Sequence, residues 1–289
     1  MGRKDGREKN VQKTARYLML DEGRGLVFLS MFFYHAMWDL VYLFGVDAGW
    51  YRGTAGYVWQ QSICWSFILL SGFCWPFGRE KYRRGLLVFG AGALVTAVTC
   101  LFLPQDRVIF GVLTFLGTAS LLTTFFHPLL LRMRAVPGFL TAVLLFVLTR
   151  NVNRGCLGFE GWRWIPLPDG WYRNLFSAFF GFPAKDFYST DYFSLFPWLF
   201  LYLTGYFLHR CLTEGGCPDK KARLAGDRAD RPVTERTDSC QPQTTAALPH
   251  FLKQGHVPAL RWIGRHSLLC YLLHQPVLFL FLSAVYFLF

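Results

Sequence analysis

The sequence predicts an all-α fold, a polytopic bundle of about seven transmembrane helices, on three observations. The first is composition, since 53% of the 289 residues are hydrophobic, Phe occurs 30 times and the mean hydropathy is positive. A lipid-facing surface needs so many apolar side chains, because its outward-facing residues must be apolar as well. The other two observations are the spacing of the apolar stretches and the distribution of basic residues between them.

Seven apolar stretches approach or reach the length of about 20 residues that a helix needs to cross a bilayer. They cover residues 25–46, 57–77, 85–103, 108–131, 138–150, 191–209 and 266–287. The chain begins with charged residues, and no cleavable signal pattern precedes the first stretch. We therefore expect the first helix itself to act as the membrane anchor.

The segments between the stretches divide the chain into four parts. Residues 1–24 form a basic cytoplasmic tail, and the polar residues 210–259 are typical of a flexible cytoplasmic linker. The main bundle covers 25–209 and includes a long external loop, 151–190, whose aromatic residues suit the membrane interface. This loop serves either as an aromatic belt or as a lid over a substrate. Residues 260–289 supply the final transmembrane helix of the same domain.

Basic residues are concentrated on alternate loops of the predicted bundle. On one side, the tail through Arg24 holds seven Lys and Arg residues, the 79–84 loop four, the 132–134 loop two and the 210–265 segment ten. The opposite side holds seven, five of them in the long loop or directly before it, at Arg150. By the positive-inside rule, the N-terminus is cytoplasmic and the C-terminus external. Topology and anionic lipid thus explain the net charge of +12, and we expect no nucleic-acid partner.

Ionisable residues within an apolar helix are energetically costly and therefore indicate function. In the first helix, Arg24, His35 and Asp39 share one face, because eleven residues return a helix to within about 20° of its start. An Asp one turn from a His can fix its tautomer, and such a His could take a proton or carry an acyl group transiently. Arg24, at the cytoplasmic mouth, could hold a phosphate. The alternative is that His35 and Asp39 only hydrogen-bond a neighbouring helix.

The last helix carries a second polar set, and the two sets together define the candidate site. The predicted catalytic residues are His35, Asp39 and His274. The predicted cofactor-binding residues lie at the basic cytoplasmic mouth and are Arg24, Arg83, Arg84, Arg265 and His266. The predicted substrate-side residues lie toward the outer face and are Asp191, Trp198 and Arg150. No Cys or His cluster has zinc-ligand spacing, so we expect no metal site.

Four blocks of the chain resemble the heparan-alpha-glucosaminide N-acetyltransferase catalytic-domain family, particularly its small bacterial members. The blocks are DEGRGLVFLSMFFYHAMWDL (21–40), FGVLTFLGTASLL (110–122), GFPAKDFYSTDYFSLFPWLFLYLTGYFL (181–208) and LRWIGRHSLLCYLLHQPVLF (260–279). The spacing of Arg24 and His35 also resembles the first helix of the broader group of membrane acyltransferases that modify surface polysaccharides. The resemblance implies transfer of an acetyl group from cytoplasmic acetyl-CoA, used as a co-substrate, to a sugar beyond the membrane.

We therefore interpret the chain as a membrane-bound acyltransferase that uses acyl-CoA to modify a glycan, a lipid-linked sugar or another envelope component. The resemblance to bacterial members implies location in the plasma (inner) membrane. Two alternatives stay open: a small-molecule transporter or flippase, which the lack of an internal repeat disfavours, and a non-catalytic membrane scaffold. The expected partners are the lipid bilayer, acyl-CoA and the acceptor. The sequence leaves open the acceptor, the acyl chain length and whether the chain forms a homo-oligomer.

Overall fold

The computed structural model of the protein describes residues 17–214 and 248–288. Most of the predicted tail, 1–16, and the central part of the predicted linker, 215–247, lie outside the described residues. The helices are α1 Leu18–Tyr42, α2 Gly49–Arg52, α3 Thr54–Cys74, α4 Lys81–Phe102, α5 Val112–Arg132, α6 Ala135–Thr149, α7 Leu175–Phe180, α8 Leu195–Glu214, α9 Pro258–Arg265 and α10 Ser267–Leu288. Short 3₁₀ turns cover Trp75–Phe77, Pro104–Asp106, Val152–Arg154, Asp169–Trp171 and His250–Lys253.

The predicted all-α class is confirmed, because 75% of the structure is helical. Among the described residues, five helical segments are long and apolar enough to cross a membrane: Leu18–Tyr42, Lys81–Phe102, Val112–Arg132, Ala135–Arg154 and Ser267–Tyr286. Helices α3 and α8 have 21 and 20 residues but do not belong to this group, so the predicted count of about seven spans is not confirmed. Helix α8 buries ten of its residues within the protein, and a helix enclosed by protein does not need an apolar outer surface.

Helix α8 lies at the centre of the bundle, where it packs against α3 and α6. The backbones of α3 and α8 touch, because a Cβ at Gly72 would lie 1.9 Å from the carbonyl oxygen of Tyr202. In the same interface, a Cβ at Gly205 of α8 would lie 2.2 Å from the carbonyl oxygen of Leu69 of α3. Small residues at these two positions thus permit the close helix contact that is common in membrane bundles.

The loop 151–190, which the sequence predicts to be external, contains a two-stranded antiparallel hairpin that the sequence did not predict. Its strands are β1 Cys156–Phe159 and β2 Trp162–Pro166, with a bulge at Leu157 and Gly158. The Asn151 side chain donates to the carbonyl oxygens of Glu160 and Trp162 at 2.9 and 3.0 Å, which fixes the hairpin at the end of α6. Helix α7 follows within the same loop. The turn of the hairpin, at Glu160, therefore has a defined position beside the helices.

Residues 248–265 pack against the N-terminal part of α1. The backbone N–H of Val257 donates to Glu22 Oε1 at 2.8 Å, and the Arg261 guanidinium pairs with the same carboxylate at 3.4 Å. Helix α9 then crosses α1 closely, since a Cβ at Gly25 would lie 2.1 Å from the carbonyl oxygen of Leu260. This contact places the start of α10 next to α1, and the two helices continue side by side into the bundle.

Candidate active site

Two histidines from the first and last long helices meet inside the bundle. The rings of His35 on α1 and His274 on α10 have centroids 4.9 Å apart and are tilted by 48°. The Nδ1 of the buried His274 donates to the carbonyl oxygen of Tyr271 at 2.5 Å. Because a carbonyl only accepts, a neutral His274 carries its proton on Nδ1 and its lone pair on Nε2. That Nε2 is buried and has no hydrogen-bond partner among the described residues, so it is available to a reacting group.

Asp39 joins this pair through a glutamine. Its side chain is completely buried, and its Oδ1 accepts a hydrogen bond from Gln275 Nε2 at 2.9 Å. Oδ2 has no partner within residues 17–214 and 248–288. The three predicted catalytic residues thus lie together, although the hydrogen bond of Asp39 goes to Gln275, next to His274, and not to His35. In the same ranges, no three His, Cys, Asp or Glu side chains converge as a metal site would require.

The three predicted substrate-side residues, Arg150, Asp191 and Trp198, line one cavity of about 230 Å³. The other residues that line it are Tyr57, Gln60, Gln61, Cys64, Asn153, Arg154, Thr190, Tyr192 and Phe193. A second cavity, of about 790 Å³, is formed mainly by the loop 151–190. Asn153, Arg154 and Tyr192 belong to the walls of both, so the two cavities adjoin.

Arg150 is held in one position on the wall of the small cavity. Its Nε lies 2.9 Å from Glu160 Oε1 in an ion pair with the hairpin. Its Nη2 donates to Gln61 Oε1 at 2.9 Å and to the Tyr57 hydroxyl at 3.2 Å. The guanidinium lies 4.9 Å from the ring centroid of Trp198, within the range of a cation–π contact. Four contacts on one side chain preorganise a positive charge at this wall.

Asp191 lies outside helix α8, in the connection that precedes it. Its Oδ2 accepts hydrogen bonds from the Val112 backbone N–H at 3.1 Å and from the Tyr271 hydroxyl at 3.4 Å. A Cβ at Gly111 would lie 2.9 Å from this oxygen, so the glycine leaves room for the carboxylate. Burial raises the pKa of Asp191, and the two hydrogen bonds oppose this shift. Tyr271 in turn packs on His274 with ring centroids 5.2 Å apart, and so connects the cavity with the histidine pair.

Of the five predicted cofactor-binding residues, Arg24 and Arg84 influence each other electrostatically. Both also interact electrostatically with the side chain of Tyr202. Neither takes part in the ion pairs that the described residues form with one another. Two cations that repel each other are stabilised by an anion placed between them, so this pair has the charge that a phosphate requires.

The other three predicted cofactor-binding residues are engaged locally. Arg83 pairs with Glu80 at 3.0 Å at the start of its own helix, and its side chain is 81% exposed. Arg265 pairs with Asp21 at 3.3 Å, which binds α9 to α1. The exposed His266 donates from Nδ1 to the carbonyl oxygen of the residue four positions earlier at 2.9 Å. These contacts hold the three side chains near the start of α4 and the end of α9.

Gln275, Tyr271 and Glu160 are functional candidates that sequence reasoning missed. Tyr271 and Gln275 lie within one turn of His274, so they occupy neighbouring positions on α10, a pattern visible in the sequence. Glu160 gives no comparable indication, because its contact with Arg150 depends on how the hairpin folds back over α6. The contact between Glu160 and Arg150 is therefore recognised only in the folded structure.

A comparison with known protein families places the chain in one of them. The model of a family described as "Heparan-alpha-glucosaminide N-acetyltransferase, catalytic" matches residues 16–234. This range includes Arg24, His35, Asp39, Arg150 and Asp191, and it ends before α9 and α10. Searches of curated proteins and of solved structures gave no significant match. Because the family model covers about three quarters of the sequence, the chain belongs to the heparan-alpha-glucosaminide N-acetyltransferase catalytic family.

Proposed function

We propose that the protein is an acyltransferase that moves an acetyl or other acyl group from cytoplasmic acyl-CoA to a sugar or envelope acceptor at the outer face. The observation that carries this proposal is the His35–His274 pair, with ring centroids 4.9 Å apart inside the bundle. A basic pair lies toward one end of α1, and a polar cavity lies toward the other end of the bundle. Family membership supports transferase chemistry; the donor and the acceptor are parts of the proposal.

The proposal includes seven crossings, with the N-terminus in the cytoplasm and the C-terminus outside, in a plasma membrane of bacterial type. Helices α3 and α8 provide the two crossings beyond the five apolar segments. At about 1.5 Å per residue, their 21 and 20 residues span the hydrocarbon core. The unequal distribution of Lys and Arg between alternate loops supports this orientation.

The donor binds with its nucleotide phosphates at Arg24 and Arg84. Eleven residues of α1 separate Arg24 from His35, a rise of about 16 Å along the helix axis. This rise is of the order of the length of a pantetheine arm, so a CoA anchored at the basic pair brings its thioester to the histidines. Charge-assisted contacts of this type weaken with salt, which makes ionic strength a test of the assignment.

The histidine pair acts on the thioester. His35 serves as a general base or transient acyl acceptor, and the Nε2 lone pair of His274 offers a second proton-transfer group at the same place. Asp39 holds α10 in register through Gln275, and this fixes the orientation of His274 relative to His35. Transfer of the acyl carbon to the acceptor breaks the C–S bond, and CoA leaves as the thiolate.

A vesicle assay tests the proposal. Full-length protein is reconstituted in liposomes, radiolabelled acetyl-CoA is supplied on the side of the basic loops, and glucosamine is supplied on the other side as an acceptor probe. We expect label on the acceptor with the wild-type protein and at least tenfold weaker CoA binding by Arg24→Ala. CoA binding that is insensitive to both Arg24→Ala and ionic strength would contradict the assigned donor site.

A further inference from the structure

The small outer cavity contains one carboxylate, and its surroundings give that carboxylate a chemical role. Twelve described residues line the cavity, and one of these twelve, Asp191, is acidic. Neither His35 nor His274 lines it. A molecule held in this cavity therefore meets a carboxylate first, and it meets the histidine pair only beyond Tyr271.

The geometry of Asp191 suits a proton acceptor. Both of its hydrogen-bond donors, the Val112 N–H and the Tyr271 hydroxyl, go to Oδ2. This arrangement fixes the plane of the carboxylate and leaves Oδ1 for a group in the cavity. Gly111 supplies the space for this close approach. An orientation imposed by two donors on one oxygen is a form of preorganisation that general-base catalysis requires.

The chemistry of the transfer indicates the form of the acceptor. Arg150 is paired with Glu160, and Arg154 and Asp191 carry opposite charges, so the charges around the cavity balance. An ammonium group has no lone pair with which to attack the acyl carbon, whereas a neutral amine or a hydroxyl has one and gives up its proton to a base. The cavity volume of about 230 Å³ fits the end of a molecule, since pockets for drug-sized ligands measure about 300–1,000 Å³.

We propose that Asp191 is the catalytic base for the acceptor, that Tyr271 is its positioning residue, and that the acceptor presents a neutral primary amine or a hydroxyl in the small cavity. The inference rests on the proposed acyl transfer. In the step, the acceptor nitrogen or oxygen forms a bond to the acyl carbon, and its proton goes to Asp191 Oδ1. The C–S bond breaks with its electron pair on sulfur, CoA leaves as the thiolate, and the proton held by Asp191 is released to water when the product departs. The histidines thus act on the donor and Asp191 on the acceptor.

Chemical rescue tests the role of Asp191. We measure transfer of label from acetyl-CoA to glucosamine by the full-length protein and by Asp191→Asn and Asp191→Gly, together with CoA binding and melting temperature. Loss of a positioned base lowers the rate by about 10²–10⁴-fold, and we expect CoA binding to stay within about twofold of the wild type. Added formate should restore part of the Asp191→Gly rate, which a purely structural defect would not permit. The matched control is Asp47→Asn, an exposed carboxylate of the predicted outer side.

The pH profile tests the role of Tyr271. Titratable groups next to Asp191 are Tyr271 on α10 and Cys64 on α3, and the cavity that it lines also contains Arg150, Arg154, Tyr57 and Tyr192. The Tyr271 hydroxyl donates to the charged form of Asp191 and lowers its pKa. Tyr271→Phe removes that donor, so the pKa of Asp191 rises and the acidic limb of the rate profile moves to higher pH. The matched control, Tyr82→Phe on an exposed position of α4, leaves the profile unchanged.

The outcomes separate this inference from the proposed function. If the wild type transfers label and Asp191→Asn does so at a comparable rate, the acceptor base is wrong and the acyltransferase proposal stands. Failure of formate to rescue Asp191→Gly, with a folded protein that binds CoA, also overturns the inference. If the wild type transfers no label to glucosamine or to a hydroxyl probe such as glucose, both proposals are overturned.

Discussion

Arg150 offers the sharpest test of the packing around the outer cavity. Replacement by Met removes the guanidinium and keeps an unbranched apolar stem. The Arg150 side chain is 9% exposed and that of its ion-pair partner Glu160 is 28% exposed. Removal of one partner from a buried ion pair costs about 3–5 kcal/mol. Because Glu160 retains contact with water and can rehydrate, we expect Arg150→Met to lower the free energy of unfolding by about 2–3 kcal/mol, at or below the lower end of that range.

Equilibrium unfolding of the full-length protein in mixed micelles measures this change. A double-mutant cycle with Glu160→Gln isolates the pair, and we expect a coupling energy of about 1–3 kcal/mol. The control is Arg52→Met, whose ion pair with Asp47 is longer, at 3.8 Å, and exposed by 50% and 90%. An exposed pair of this kind contributes at most about 1 kcal/mol. The reasoning is refuted if Arg150→Met costs no more than Arg52→Met, or if the cycle is additive.

Three further changes test the remaining contacts. Gln275→Leu leaves both oxygens of the buried Asp39 without a donor, so the free energy of unfolding in mixed micelles should fall by about 1–3 kcal/mol. Arg84→Gln should weaken CoA binding and reduce its dependence on salt, as titration calorimetry would show, whereas Arg132→Gln, at an exposed position at the end of α5, should change neither. Gly264→Val should release α9, because a Cβ there would lie 1.9 Å from a backbone oxygen of α1; amide hydrogen exchange across α9 would rise, and unchanged protection would contradict this.

The part of the candidate site that lies on α1 could be predicted from the period of the α-helix. Spacings of eleven and four residues are sufficient, on the sequence alone, to place Arg24, His35 and Asp39 on one face of α1. The same rule does not say which helix that face meets. Contact between His35 and His274 requires α1 and α10 to be neighbours, and this follows from the packing of α9 on α1 through small residues far apart in the sequence.

The hairpin in the loop 151–190 shows a different limit of prediction from sequence. A two-residue turn, Glu160–Gly161, between apolar runs is a hairpin pattern, but aromatic residues at a membrane interface give the same composition. The span count failed to be confirmed for a related reason. A high mean hydropathy identifies helices whose surfaces face lipid. Helix α8 is largely enclosed by other helices, so polar residues such as His209 are tolerated there and lower its mean hydropathy.

Turnover and stability measured together on His35→Ala, His274→Ala and the variant that carries both changes test the central claim most directly. Transfer of label from radiolabelled acetyl-CoA to glucosamine is followed in parallel with the melting temperature and with CoA binding. We expect each variant to lose about 10²–10⁴-fold in rate while it still folds and binds CoA. Near-normal turnover in a well-folded variant with both histidines replaced would contradict the account, because no proton-transfer group would then remain at the thioester.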